Sequence, residues 1–134
     1  GMIIGCYVSV KDELDTSEIL EFCFANNISV CVPKVVENTL QFYKIKSSHD
    51  LVPAPFGLLE PNVTEMIPVQ KIDMMIVPLS SYDSKNHRTG YGKGYYDSVL
   101  CNCINKIGIA FQEQEVDQID VEPHDVTLDE IIVA

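Results

Sequence analysis

Short apolar runs that alternate with helix-compatible or turn-rich segments are the feature that most constrains the fold of this chain. The runs at residues 2–8, 28–32, 74–78 and 106–111 are rich in β-branched residues and mostly apolar, as strands buried on both faces are. A last short strand is predicted at residues 130–133. Strands in such an alternation form parallel sheets flanked by helices, with ligands at their carboxyl ends. The sequence therefore predicts an α/β domain built on a mostly parallel sheet.

The first two runs are predicted to enclose a helix and complete a β-α-β unit. Residues 16–25 carry apolar side chains at helical period, and Asp15 and Glu18 have the spacing of a capping box. The asparagines at residues 26–27 supply left-handed cap chemistry, and Pro33 is expected to end the second strand.

The middle of the chain is predicted to be less regular. Residues 40–45 alternate apolar and polar side chains, which predicts a strand with one solvated face. Residues 47–68 contain four prolines, which favours a long ordered loop, and such loops often bind ligands. Residues 80–94 are turn-rich, and residues 95–103 are compatible with a helix.

Length and composition predict one folded domain. With 134 residues, 46% of them hydrophobic and 22% charged, the chain can form a single core, which excludes disorder as its main state. Gly1 before Met2 is expected to be a tag remnant, so the predicted domain covers residues 2–134.

Charge and cysteine content limit the expected partners. Nine basic against twenty acidic residues give a net charge of −11, which would repel nucleic acid. No run reaches the ~18 apolar residues that span a bilayer, and no secretion signal is evident. Four of the five cysteines lie in or beside apolar runs, as buried free thiols do, and Cys101 and Cys103 are too close for a usual zinc pair. We therefore expect a cytoplasmic protein without nucleic acid or membrane partners.

Residues 88–97, with the sequence RTGYGKGYYD, carry the strongest functional signal. Alternate glycines let the backbone approach an anion closely, so successive N–H groups can converge on it. Arg88 and Lys93 add positive charge, as would the amino terminus of the following helix. The spacing matches neither the Walker A motif nor the dinucleotide fingerprint. The loop predicts a phosphate-binding site, with a glycine turn that binds nothing as the alternative.

This loop resembles the R-x-G-x-G-x-G-Y-Y-D signature of the 5-formyltetrahydrofolate cyclo-ligase (5,10-methenyltetrahydrofolate synthetase) family. Other segments resemble the family in the same order along nearly the whole chain: residues 7–16, 32–34, 57–61, 108–114 and 124–130. The resemblance implies a three-layer, Rossmann-like fold of the NagB/RpiA/CoA transferase type.

The resemblance also implies an enzyme of one-carbon metabolism. Such enzymes use ATP and Mg²⁺ to convert 5-formyltetrahydrofolate, a reduced folate, to 5,10-methenyltetrahydrofolate, with release of ADP and phosphate. The formyl oxygen attacks the γ-phosphate, and N10 then closes on the activated carbon. This chemistry needs positioning and charge neutralisation more than a protein nucleophile.

Matched residue by residue, the glycine loop is implied to hold ATP. The implied ATP-binding residues are Arg88, Thr89, Gly90, Tyr91, Gly92, Lys93, Gly94, Tyr95 and Tyr96. Arg88 and Lys93 are the implied catalytic residues, because they would stabilise charge on the transferred group. Tyr91 and Tyr95 are also implied to contact the folate, whereas the Tyr96 side chain is expected to pack between helix and sheet.

Four further residues complete the implied site. Asp97 and Asp125 would bind Mg²⁺, which prefers oxygen ligands; a helix-terminal acid and an exposed turn residue are the alternatives. Val8 and Glu13 would contact the folate, with Glu13 accepting hydrogen bonds from pterin amino groups or else serving as a solvated turn residue.

Two departures from the family pattern leave a second hypothesis open. The chain begins at the first strand, so no residue matches the cations of the family's N-terminal helical arm, and impaired activity is expected. Leu79 stands where the family has a glycine that needs positive φ, which predicts a shifted loop. The alternative is a non-catalytic homologue that keeps a nucleotide- or folate-binding surface as an interaction module. An apolar patch left without the arm would favour self-association.

Overall fold

The computed structural model describes residues 1–10, 13–90, 95–123 and 125–134. Its strands are β1 (Ile3–Cys6), β2 (Ser29–Val36), β3 (Thr39–Ile45), β4 (Leu51–Pro53), β5 (Leu59–Pro61), β6 (Met66–Ile67), β7 (Met74–Val77), β8 (Ser81–Tyr82), β9 (Arg88–Thr89), β10 (Lys106–Ala110) and β11 (Glu130–Val133). Its α-helices are α1 (Ser17–Ala25) and α2 (Tyr95–Leu100). No helix among these residues is long and apolar enough to cross a membrane.

The main sheet has seven strands in the order β11-β10-β7-β1-β2-β3-β6. Neighbouring strands in the part of the sheet that runs from β11 through β10, β7 and β1 to β2 are parallel, whereas β3 is antiparallel to both β2 and β6. The predicted mostly parallel sheet, with β1, α1 and β2 as a β-α-β unit, is therefore confirmed. From β1 the chain passes to β2 on one side, while β7 and β10 lie on the other. The switch point of this sheet is thus between β1 and β7, where α/β proteins bind ligands.

Alternation along the strands divides the core between the two faces of the sheet. In β7, Met75 and Val77 belong to one buried cluster and Ile76 to the other. Helix α1 buries Leu20 on the Ile76 face, and α2 buries Leu100 on the Met75 face. Burial of each such side chain stabilises the fold by about 1.5–3 kcal/mol. The predicted arrangement of three layers is confirmed by these two helices.

Two predictions about proline positions are wrong. Strand β2 does not end at Pro33, which pairs with Phe42 of β3. The pairing of β1 with β2 ends at Cys31, so Pro33 has no β1 residue opposite it. The N–H that proline lacks is therefore not needed for a hydrogen bond on that side of β2. Residues 47–68 contain the antiparallel β4–β5 pair and β6 rather than only a loop. Pro53 and Pro61 end β4 and β5, positions where a missing donor is tolerated.

The ends of the helices also differ from prediction. The capping box of Asp15 and Glu18 is not formed, because α1 begins after Thr16, whose side chain makes no cap hydrogen bond. Asp15 Oδ1 instead accepts from the Ser17 N–H at 2.9 Å. The left-handed residue at the end of α1 is confirmed at Asn27, with φ of 55°. Helix α2 ends at Leu100 rather than at residue 103.

Leu79 fits its position without the backbone conformation of a glycine. It is absent from the positive-φ residues of the described chain, and its side chain is 3% exposed. A Cβ on Gly108 would lie 3.1 Å from Leu79 Cδ2, so Gly108 leaves the space that the leucine fills. Leu79 therefore occupies this position without the positive φ that the family glycine is expected to need.

The cysteines are free thiols, and four of them are buried as predicted: Cys6, Cys23, Cys31 and Cys103. Cys101 is exposed. Burial raises the pKa of the Cys31 thiol to about 12, and that of Cys6 also rises. These two thiols stay protonated at neutral pH, so neither supplies a nucleophile.

Candidate functional site

Two chain segments meet at the switch point of the sheet. Residues 7–16 follow the carboxyl end of β1, and residues 78–97 follow that of β7. The Tyr96 hydroxyl lies close enough to Glu13 of the first segment and Arg88 of the second for both charges to affect its pKa. The structure therefore brings together residues from both predicted halves of the site.

The segment after β1 is fixed by hydrogen bonds to its own backbone. Thr16 Oγ1 donates to the Tyr7 carbonyl at 2.9 Å, and the Tyr7 hydroxyl donates to the Leu14 carbonyl at 2.9 Å. Glu13 Oε1 accepts from the Val10 N–H at 2.8 Å. Glu13 and Val8 are both half-buried, and Val8 packs against the core on the α1 face. Glu13 is thus a half-buried residue whose side chain is fixed to the turn.

The segment after β7 folds back on itself before it reaches Arg88. The Ser80 N–H donates to the Thr89 carbonyl at 2.7 Å, and β8 pairs with β9. The hydroxyls of Ser81 and Thr89 are 2.6 Å apart. Thr89 is exposed, whereas the side chain of the adjacent Arg88 is 4% exposed.

The buried carboxylate of Asp83 stabilises this folded-back segment through hydrogen bonds. Its Oδ1 accepts from the backbone N–H groups of Lys85 and His87, both at 3.0 Å. Its Oδ2 accepts from Ile119 N–H at 3.0 Å and contacts His87 Nδ1 at 2.9 Å. Burial by itself would raise the pKa of Asp83, but the hydrogen bonds from His87, Ile119 and Lys85 together lower it to about 2. Asp83 is therefore charged at neutral pH and holds the loop that precedes Arg88.

The guanidinium of Arg88 joins the backbone directly after β7 to helix α2. Its Nη1 donates to the Pro78 carbonyl at 3.2 Å, and its Nη2 donates to Asp97 Oδ1 at 3.5 Å. The guanidinium carbon also lies 5.8 Å from the centre of the Tyr96 ring, within cation–π range. A Cβ on Gly90 would come within 2.8 Å of Arg88 Nη1, so only glycine fits there without displacing the guanidinium.

Tyr95 and Tyr96 begin α2 and are both half-buried. Tyr95 packs against the core on the α2 face, whereas Tyr96 packs against both core clusters. The Tyr96 ring meets that of Phe42 edge to face, with centroids 6.5 Å apart. The packing predicted for Tyr96 is confirmed, but its buried hydroxyl has no hydrogen-bond partner among the described residues.

The two carboxylates proposed as metal ligands are held differently. Asp97 is partly exposed and faces Arg88, whereas Asp125 lies between β10 and β11 and accepts from the Glu122 N–H at 2.8 Å. The described residues contain no group of three or more His, Cys, Asp or Glu side chains able to hold a metal ion. Mg²⁺ is commonly bound through one or two carboxylates together with phosphates and water, and Asp97 fits that mode.

Some predicted site residues lie outside the described part of the chain, and the sequence prediction missed two residues that shape the site. Tyr91, Gly92, Lys93 and Gly94 lie outside the described residues. Sequence analysis missed Asp83, although an Asp before Ser-Lys-Asn is typical of a turn that bonds its own backbone. It also gave no role to Gln114, whose amide donates to the Leu79 carbonyl at 2.9 Å.

The open, mostly parallel sheet and the polar groups at its switch point define a doubly wound α/β protein with a candidate ligand site at the carboxyl ends of β1 and β7. A sequence profile of the 5-formyltetrahydrofolate cyclo-ligase family matches residues 1–134, and the chain belongs to this family.

Relatives support this membership over nearly the whole chain. The 5-formyltetrahydrofolate cyclo-ligase of Haemophilus influenzae is 31% identical over 97% of this chain and 74% of that protein. That of Mycoplasma pneumoniae is 32% identical over 96% of this chain and 71% of that protein. The solved 5,10-methenyltetrahydrofolate synthetase of Aquifex aeolicus has a TM-score of 0.85 at 26% identity, covering 98% of this chain and 68% of that one. The synthetase structure from Mycoplasma pneumoniae has a TM-score of 0.75 at 30% identity, covering 97% and 71%.

Proposed function

We propose that this chain is an ATP- and Mg²⁺-dependent 5-formyltetrahydrofolate cyclo-ligase that forms 5,10-methenyltetrahydrofolate and releases ADP and phosphate. One observation carries the proposal beyond family membership. A buried arginine, Arg88, lies beside the carboxylate of Asp97 at the switch point, directly before and after the glycine loop. This arrangement supplies both charges that binding of a metal–nucleotide pair requires.

The residues of the second segment would bind the nucleotide. Arg88 orients Asp97, and Gly90 lets the backbone pass close to that pair. The loop residues 89–96 would donate N–H groups to the phosphates, and Lys93 would stabilise charge on the transferred group. When bound, Mg²⁺ would neutralise phosphate charge, with Asp97 as its ligand and Asp125 as the second carboxylate.

The residues of the first segment would bind the folate. Glu13 and Val8 are half-buried after β1; the Glu13 carboxylate would accept hydrogen bonds from the amino groups of a pterin, and Val8 would offer an apolar wall. Tyr91 and Tyr95 would stack on the flat rings of the same substrate. In the reaction the formyl oxygen takes the γ-phosphoryl group of ATP, which leaves ADP. Attack by N10 then breaks the C–O bond, and phosphate and the N10 proton depart.

The proposed setting is the cytoplasm, where a net charge of −11 and free thiols suit a protein of small-molecule metabolism.

Formation of 5,10-methenyltetrahydrofolate, followed by its absorbance, tests this function. The purified chain is incubated with 5-formyltetrahydrofolate, with and without ATP, and with Mg²⁺ or a chelator. Turnover that needs both ATP and Mg²⁺ is expected. Lys93→Ala should lower it by at least about tenfold, whereas the exposed Lys71, which precedes β7, should tolerate the same change. Binding of nucleotide and folate without turnover would instead identify a non-catalytic homologue.

A further inference from the structure

We infer that the hydroxyl of Tyr96 donates a hydrogen bond to an oxygen of the bound substrates, at the point where the folate and the nucleotide meet. This inference rests on the proposed function and gives a role to a group that packing leaves unexplained.

The hydroxyl oxygen of Tyr96 is buried and has no hydrogen-bond partner among the described residues. A buried polar group left in this state destabilises a protein, so native structures seldom keep one. Phenylalanine would fill the same space against Phe42 and Arg88 without that penalty. A tyrosine here is therefore best explained by a partner that arrives with the substrates.

The position of the ring is fixed by its neighbours. Phe42 of β3 meets the ring edge to face at 72°, and the Arg88 guanidinium lies 5.8 Å from its centre. Because α2 also packs Tyr96 against both core clusters, the hydroxyl has little freedom to turn towards another partner. A donor fixed before binding loses little entropy when it meets an acceptor.

The hydroxyl is near charged groups from both halves of the site, and the Arg88 guanidinium lies 5.8 Å from the centre of its ring. Glu13, proposed to contact the folate, and Arg88, proposed to act on the nucleotide, both lie within electrostatic range of the hydroxyl. Burial, together with Cys6 and Glu13, raises the pKa of Tyr96 well above its ordinary value of 10, which the charge of Arg88 offsets only in part. The phenol therefore keeps its proton at neutral pH and acts as a donor. The formyl oxygen and the phosphoryl oxygens are both acceptors suited to it.

Replacement of the hydroxyl alone gives a sharp test, because Tyr96→Phe keeps the ring and its contacts. Stability is measured by thermal unfolding without ligands, and affinity by titration with 5-formyltetrahydrofolate and with Mg-ATP separately. Turnover is followed by methenyltetrahydrofolate formation. We expect unchanged or higher stability, with kcat/KM lowered by about 10- to 100-fold. Weaker binding of one substrate would identify which oxygen accepts the bond, and a loss in kcat alone would indicate a bond made in the transition state.

Tyr43→Phe is the matched control. Its hydroxyl donates to Gln41 Oε1 at 2.8 Å within β3, so its loss should lower stability slightly and leave turnover unchanged. A less stable Tyr96→Phe with full affinity and turnover would overturn the inference, because the hydroxyl would then be structural. If wild type binds the substrates but does not turn over, the proposed activity fails, while weaker binding by Tyr96→Phe would still support the inference. Wild type that binds neither substrate would overturn both.

Discussion

The side-chain amide of Gln114 donates to the main-chain carbonyl of Leu79 at 2.9 Å, while its oxygen accepts from the Phe111 N–H at 2.7 Å. These bonds tie the carboxyl end of β10 to that of β7. The neighbouring carbonyl, of Pro78, is held by Arg88 from the other side of the loop. Two successive carbonyls after β7 are thus fixed by two side chains that are distant in sequence, and this fixes where the loop begins.

Gln114→Ala is expected to loosen that loop. Loss of the hydrogen bonds of the Gln114 side chain should lower the free energy of unfolding by about 1–3 kcal/mol. Mg-ATP binding should weaken several-fold, since the released Leu79 carbonyl is next to the Pro78 carbonyl that Arg88 holds. Urea unfolding and calorimetric titration measure the two effects. Gln112→Ala, at an exposed position in the same turn, serves as control and should change neither. Equal behaviour of the two variants would contradict the role given to Gln114.

Gly90→Ala should displace the guanidinium of Arg88, because the new Cβ would come within 2.8 Å of Nη1. We expect a loss of about 1–3 kcal/mol in the free energy of unfolding. In an Arg88→Ala background the same change should be nearly neutral, because the contact is gone. Denaturant unfolding of the four proteins in this cycle gives the coupling. Additive effects would show that the glycine is needed for another reason.

Asp97→Asn should weaken nucleotide binding much more with Mg²⁺ than without it. The change removes the carboxylate charge but keeps the size of the side chain, so an effect of about tenfold or more is expected only with the metal. Titration with ATP in Mg²⁺ and in chelator separates the two conditions. Asp120→Asn, an exposed acid elsewhere, controls for the change in net charge. An equal loss in both conditions would make Asp97 a partner of Arg88 and not a metal ligand.

The hydrogen bonds of Asp83 predict a loss of stability in acid. Because its pKa is lowered to about 2 in the folded protein, against 3.8 ordinarily, the carboxylate stabilises the fold above about pH 4. That stabilisation is lost as pH falls from about 4 towards 2. Asp83→Asn should therefore lower the free energy of unfolding by about 2 kcal/mol at pH 7 and by clearly less at pH 3. Urea unfolding at both pH values tests this, and a constant difference would refute it.

Residues that are close in sequence made much of this protein predictable. The apolar runs predicted β1, β7 and β10, because burial on both faces requires continuous apolar sequence. The RTGYGKGYYD segment predicted a glycine loop next to Arg88, since glycine spacing is a local property of the sequence. The proline positions gave wrong predictions, namely a strand end at Pro33 and a loop without strands in residues 47–68. Whether the missing N–H of a proline matters depends on whether a neighbouring strand lies on that side.

The tertiary structure alone decided which residues meet. The fold brings Glu13 and Arg88 both within electrostatic range of the Tyr96 hydroxyl, although they are far apart in the chain. Leu79 is accommodated because Gly108, on the adjacent strand β10, leaves space for its side chain. Sequence determined the elements through local periodicity and turn chemistry. Contacts between distant segments depend on strand order and on the space that each neighbour leaves, and only folding sets these.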